Sequence, residues 1–274
     1  MANRLDVASG SWEVMPPMPT PRHGCAAAAV VGVIYVLGGS NDSALPLDAA
    51  ERFDPALGGW ERICKLPTAR HTAACCACAG NVYCLGGFDG EGVLTAAERF
   101  DPAAGRWEAL PPMPSPRGRL GAASCEGLVF AAGGIGEGRE LAAVEEFDPA
   151  QWAWRAVAPL SGARCGFALV AETPSSAGGS ALLALGGRRG PEKLATVERY
   201  DLLLGTWQTL PCLPSPRDGL AAAVARGKVY VFGGRGVGQT LALAECFDPQ
   251  TGVWTALPQM PHASCGLAAA VAER

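Results

Sequence analysis

A pair of adjacent glycines recurs along the chain at Gly38-Gly39, Gly86-Gly87, Gly133-Gly134, Gly186-Gly187 and Gly233-Gly234, at intervals of 48, 47, 53 and 47 residues. Tryptophan keeps nearly the same interval, at Trp12, Trp60, Trp107, Trp154, Trp207 and Trp254. Between each glycine pair and the next tryptophan stands an acidic-aromatic segment: "ERFDP" at 51–55 and 98–102, "EEFDP" at 145–149, "ERYDL" at 198–202 and "ECFDP" at 245–249. A turn, proline-rich in most copies, separates the units and ends in Arg22, Arg70, Arg117, Arg164 or Arg217. A period of this length means that each unit is one supersecondary element, stable only when stacked on its neighbours.

The unit between Arg22 and Pro67 contains four short strand candidates, "CAAAAVV", "VIYVLGG", "LDAAERFD" and "GWERIC", with no helical pattern between them. About eleven residues per strand and turn leave room for antiparallel neighbours but not for helical crossovers. Four-stranded sheets of this kind must cover both faces, and radial stacking does so while leaving only short protected edges. Small residues in the first strand of each unit suit the crowded axis of such a ring. Aromatics in the outer strands suit the places where the sheets diverge. The units run over about residues 22–67, 70–114, 117–160, 164–214 and 217–261.

Gly-Gly closing the second strand, aromatic-Asp-Pro closing the third, Trp opening the fourth and Pro-Arg in the following turn resemble kelch repeats. The resemblance covers essentially the whole chain and implies an all-β propeller of four-stranded antiparallel blades. Residues 3–18, "NRLDVASGSWEVMPPM", align with a third and fourth strand, and residues 264–272, "SCGLAAAVA", align with a first strand. The expected architecture is therefore six-bladed, with five complete repeats and an incomplete closing blade shared by the two termini. Its second strand, with the Gly-Gly, is absent from the sequence. Either the chain is a fragment of a longer one or the sixth blade is defective, and the fragment is preferred.

Residues that recur belong to the blades: the glycine pairs, and Trp60, Trp107, Trp154, Trp207 and Trp254. The glutamate opening each third strand and the arginine of each turn sit beside apolar segments, so they are expected to satisfy one another or nearby backbone, as buried charges must. Binding is expected where the units differ. The loops from second to third strand and from fourth to first emerge on one face of an up-and-down sheet, and loops on a rigid scaffold carry function. The resemblance to kelch proteins that recruit other proteins nominates residues just after the glycine pairs, namely Ser40, Asp42, Phe88, Asp89, Glu91, Arg188, Arg189 and Arg235. It also nominates His23, His71, Arg119 and Asp218 after the turn arginines. Arg119, Arg188, Arg189 and Arg235 have the fork geometry to grip carboxylates of an acidic peptide.

The segment "NVYCLGGFDGEGVLTAAERFDP" is similar to the kelch domain of animal kelch-like adaptors, in which a BTB domain binds a cullin-type ubiquitin ligase. No such helical domain occurs in these residues. The resemblance implies recognition of a protein partner or peptide degron, with an actin-associated scaffold or a small-molecule enzyme as alternatives.

Chemistry at a metal or nucleophile is not expected. Cys75 and Cys78 stand in a C-x-x-C frame near His71 and Cys84, but in a strand Cys75 opposes Cys76 and Cys78, and no second pair supports a zinc site. His23, His71 and His262 are read as falling in equivalent inter-blade turns of three units, a shared position that explains them better than a triad does. Tyr35, Tyr83 and Tyr230 share one strand slot and Tyr200 another, so no catalytic constellation is indicated. "GGFDGEG" lacks the Gly-Lys-Ser/Thr of a phosphate loop and the alternating acids of a calcium loop. A net charge of −4 argues against nucleic-acid or anionic-membrane partners. The longest apolar run, about ten residues, falls short of the ~20 that cross a bilayer. The N-terminal residues do not read as a secretory leader. The 11 irregularly spaced cysteines point to a reduced, cytoplasmic or nuclear, setting.

Overall fold

The structure, a computed structural model, describes residues 2–172 and 179–272. The chain begins with a hairpin, β1 (Asn3–Asp6) and β2 (Ser11–Val14). Blade one is β3 (Ala26–Val30), β4 (Val33–Leu37), β5 (Ala50–Asp54) and β6 (Gly59–Arg62). Blade two is β7 (Ala74–Cys78), β8 (Asn81–Leu85), β9 (Ala97–Asp101) and β10 (Arg106–Ala109). Blade three comprises β11 (Gly121–Cys125), β12 (Leu128–Ala132), β15 (Val144–Asp148) and β16 (Ala153–Val157), with a small hairpin of β13 (Ile135–Gly136) and β14 (Arg139–Glu140) in its loop. Blade four comprises β17 (Ala168–Glu172), β18 (Ala181–Leu185), β21 (Val197–Asp201) and β22 (Thr206–Leu210), with the loop hairpin β19 (Arg188–Arg189) and β20 (Glu192–Lys193). Blade five is β23 (Ala221–Ala225), β24 (Lys228–Phe232), β25 (Ala244–Asp248) and β26 (Val253–Ala256). Within each blade consecutive strands pair antiparallel.

The second strands are buried almost throughout, and the core lies between blades. Tyr83 and Leu85 of blade two pack with Val129, Ala131 and Phe147 of blade three, and the same layer repeats between the later blades. Cross-strand aromatic pairs such as Phe53 with Trp60 and Phe100 with Trp107 fill the outer part, at centroid separations of 5.2 and 5.1 Å. Each third-strand aspartate accepts hydrogen bonds from the turn that follows it, as Asp101 does from Ala103 and Ala104. That explains the "FDP" repeat by turn chemistry.

The turn arginines pair with the third-strand glutamates as their sequence context required. Arg22 meets Glu51 at 2.9 Å, and Arg70–Glu98, Arg117–Glu145 and Arg217–Glu245 each meet at 2.8 Å. Arg164 pairs with Glu198 in the same way. The guanidinium also donates to the carbonyl of the first glycine, as Arg117 does to Gly133 at 3.0 Å. The arginine's own carbonyl accepts from the second glycine of the preceding blade: Arg70 from Gly39 and Arg117 from Gly87, at 2.8 and 2.9 Å. One residue therefore ties two blades together. A Cβ on Gly86 would lie 2.2 Å from that carbonyl, so the glycine pair is required by the close approach of the next blade.

Among the described residues five four-stranded blades form, and not six. At the closing position β1 pairs with β2 alone, and residues 264–272 contain no strand. Of the three strands expected there, two exist. The reason is that no segment of the sequence supplies the second strand, so 264–272 has no neighbour to pair with. The position is nonetheless tied on both rims. Inside, backbone bonds run from Gly24 to Gly266, Gly266 to Gly219, Gly219 to Gly166, Gly166 to Arg119, Arg119 to Thr72 and Thr72 back to Gly24, at 2.7–3.2 Å. Outside, the indole of each of the six periodic tryptophans donates to a carbonyl of the preceding unit, and Trp12 does so to Pro258 at 2.9 Å as Trp60 does to Pro16 at 2.8 Å.

Candidate partner-binding face

The residue after each glycine pair and the residue after each turn arginine form a two-way backbone bridge. The pairs are Ser40 with His23, Phe88 with His71, Ile135 with Gly118, Arg188 with Cys165 and Arg235 with Asp218. The two loop sets expected to carry binding residues are thus laced into one rim. Just inside it runs the ring of backbone bonds, whose members all have positive φ. Four of the six are glycine, and Thr72 (+49°) and Arg119 (+52°) are not. A non-glycine residue pays about 1 kcal/mol or more in that conformation.

The structure separates the nominated residues. Ser40 is buried, and its hydroxyl bonds the His23 imidazole at 3.0 Å. Asp89 accepts from the amides of Glu91 and Gly92 at 2.9 and 2.8 Å, which holds its carboxyl below the usual range. Both residues hold bonds within the rim loops. Phe88 stacks on His71, with centroids 5.6 Å apart and planes at 15°, and fills the space beside Gly118. Burial, then the positive charges of Arg119 and His23, push the His71 pKa down. Asp42 and Glu91 are exposed.

The arginines also differ. Arg188 lies 3.8 Å from Asp218 and donates to the Gly190 carbonyl at 3.0 Å. Arg189 pairs with Glu192 at 3.2 Å. Arg119 and Arg235 are exposed, and neither has a carboxylate partner among the described residues. His262 occupies a different turn slot from His23 and His71, the one held by Thr20 and Ser215 elsewhere.

Two residues of the rim, Lys193 and Glu140, escaped the sequence. Lys193 forms an ion pair with Asp218, and Glu140 accepts from the Gly190 amide at 3.2 Å. Cys165 is fully buried beneath them, and burial pushes its thiol up while Arg188, Glu140, Arg119 and Asp218 act on it through space. Lys193 and Glu140 sit on the returning arms of the loop hairpins, opposite Arg188 and Ile135. Their shared place one residue before Leu194 and Leu141 was the available signal. The cysteines of the C-x-x-C frame are split by strand alternation: Cys75 packs between blades one and two, while Cys76 and Cys78 face blade three.

A family model described as the KLHDC2/KLHL20/DRC7 Kelch-repeats domain matches residues 2–173, and one described as the Kelch motif matches residues 172–214 and 216–261. The chain belongs to the kelch-repeat family. The kelch propeller is similar to the solved structure titled "Structure of YjhT", with a TM-score of 0.80 and 15% identity over 94% of this chain and 90% of that one. At that identity the likeness is one of fold. No curated protein matches the sequence. As a kelch propeller, the protein falls in a class of protein-interaction modules.

Proposed function

We propose that this kelch propeller is a non-catalytic module that binds a peptide segment of a partner protein across the laced rim, as the substrate-recognition part of a cullin-type ubiquitin ligase adaptor. The observation that carries the binding reading is the pair of exposed arginines, Arg119 and Arg235, which have no carboxylate partner among the described residues, whereas Arg188, Arg189 and Lys193 do. Arg119 moreover holds a left-handed backbone conformation at a position where glycine would serve the ring better. The ligand class this favours is an acidic extended peptide.

The adaptor role rests on the likeness of "NVYCLGGFDGEGVLTAAERFDP" to kelch-like adaptors and on the family names that the matching model carries. It is an argument from fold-level kinship. Burial raises the Cys165 thiol away from the thiolate that a nucleophile needs, which supports a binding role over a catalytic one. All 11 cysteines are free, with Cys64 and Cys212 exposed, in keeping with a reducing cytoplasmic or nuclear setting.

The test is titration of a fluorescent glutamate-rich decapeptide into the wild-type protein and into the double variant Arg119→Gly, Arg235→Gln. Wild-type binding should be saturable. The variant should bind about tenfold or more weakly, as loss of charge-assisted hydrogen bonds implies. Its melting temperature should not fall, because glycine relieves the strain at position 119. Equal binding by the two proteins would remove both arginines from the site.

A further inference from the structure

Blade two sets one thiol against another. Cys75 on β7 and Cys84 on β8 are directly opposite each other, and both sit in the layer that this blade turns toward blade one. In the other four blades the same opposed slots hold alanine or leucine on the first strand and alanine or valine on the second, as Ala27 opposite Val36 and Ala122 opposite Ala131. Aliphatic side chains therefore fill this layer wherever it recurs, and packing alone asks for no sulfur on either strand.

The backbone brings these two side chains as near as neighbouring strands allow. Gly86 donates to the Ala96 carbonyl, so by strand alternation the N–H and C=O groups of Cys84 also face the third strand and not β7. Cys75 and Cys84 are thus a non-hydrogen-bonded pair, the kind whose Cα atoms stand about 4.5 Å apart with both side chains on one face. That separation falls within the range of about 4.4–6.8 Å that a disulfide spans, so a bond between them needs side-chain rotation and no movement of the backbone. Hydrogen bonding from the Cys75 thiol draws the Cys84 thiol below its usual range against the opposing effect of burial, and Arg70 adds to the lowering while Glu98 opposes it. Burial, then the same contact with Cys84, pushes the Cys75 thiol up. Cys75 is half-buried on the inner strand, and Cys84 beside it is 1% exposed. Cys76 and Cys78, on the other face of β7, pack toward blade three.

We propose that Cys75 and Cys84 form an oxidation site, at which hydrogen peroxide converts the two opposed thiols into a reversible disulfide within blade two. The pair first gives up one proton, and the proton that stays is shared between the sulfurs. The more open Cys75 sulfur attacks a peroxide oxygen and breaks the O–O bond; hydroxide leaves, takes up the first proton as water, and Cys75 becomes a sulfenic acid. The Cys84 thiolate then attacks the Cys75 sulfur and displaces hydroxide, which takes up the second proton. Two thiols and one peroxide give one disulfide and two waters, the sulfurs losing the two electrons that the peroxide gains. Burial of Cys75 makes the first step slow, and the site is distinguished by the partner already in place for the second. In a reducing compartment a disulfide of this kind is transient and acts as a sensor. Cys75 and Cys84 each lie four residues from His71 and Phe88, which bridge on the rim, so the bond staples the two strands directly below that part of the face. The site stands on strand geometry alone and does not rest on acidic-peptide binding.

The test exposes the folded protein to hydrogen peroxide, blocks the remaining thiols with N-ethylmaleimide in denaturant, and cleaves with chymotrypsin without reduction. Cleavage after Tyr83 parts Cys84 from Cys75, Cys76 and Cys78. Mass spectrometry should find Cys84 joined to Cys75, at least about tenfold more often than to Cys76 or Cys78, since strand alternation puts those two on other faces or further along the ladder. Dithiothreitol should release the link. The variant Cys75→Ala, which installs the residue that Ala27, Ala122 and Ala222 place in this slot, should melt as the wild type does and leave Cys84 unlinked. Cys76→Ala should form the link as before. Absence of any link at Cys84, a link from Cys84 chiefly to Cys76 or Cys78, or a link that forms only once urea has unfolded the chain would each overturn the proposal and leave the two sulfurs as filler.

Discussion

At the scale of single residues the buried arginine–glutamate pairs are the most exacting feature. Burial raises the Glu98 carboxyl above its usual range, and Arg70 and Thr68 pull it back. Removing the cation in Arg70→Met leaves the burial uncompensated and raises the carboxyl further. A carboxyl whose pKa is higher folded than unfolded favours the native state only while protonated, so that stability is present below about pH 4 and is lost as pH rises through the raised value. Arg70→Met should therefore lie near the wild type at pH 4 and about 3–5 kcal/mol below it at pH 7, the usual consequence of orphaning a buried charge. Urea denaturation at the two pH values measures this. An equal loss at both would assign the effect to packing.

Among the elements, the glycine pairs at the ends of the second strands separate two effects usually confounded. Gly86 (φ +58°) and Gly105 (φ +65°) have nearly the same backbone, but a Cβ at Gly86 would strike the Arg117 carbonyl and one at Gly105 would meet nothing within 4 Å. Gly105→Ala should cost about 1 kcal/mol, the strain alone. Gly86→Ala should cost several kcal/mol more, because a blade must move; equal costs from thermal denaturation would contradict the close approach. What could be read in the sequence follows the same division. The strands, the glycine pairs and the Arg–Glu partnership were legible because they repeat, and five copies turn a weak local signal into a strong one. Glu140 and Lys193 were not, because each does its work through a cross-loop bond whose register varies with loop length. The closing blade was half-legible: its hairpin and rim contacts follow from alignment with the other units, while the unpaired state of 264–272 follows from a neighbour that the sequence does not contain.

The whole molecule is held as a circle by its inner and outer bonds. Gly266 is the station through which the C-terminal segment joins the inner ring, with a φ of +62° and an amide that donates to Gly219. Gly266→Pro removes both the donor and the permitted conformation, at about 3 kcal/mol. A melting temperature lower by about 6–12 °C is expected for a chain of this size, and an unchanged one would show that the segment does not close the ring. The ring also has a consequence for recognition at the channel mouth. Its six peptide dipoles lie head to tail around a circle, so their sum along the axis vanishes, unlike those of a helix, which add at its end. The backbone therefore offers an approaching ion no preference of sign. Whatever charge selectivity the mouth possesses is written in side chains, and in the ring itself Arg119 is the one charged residue.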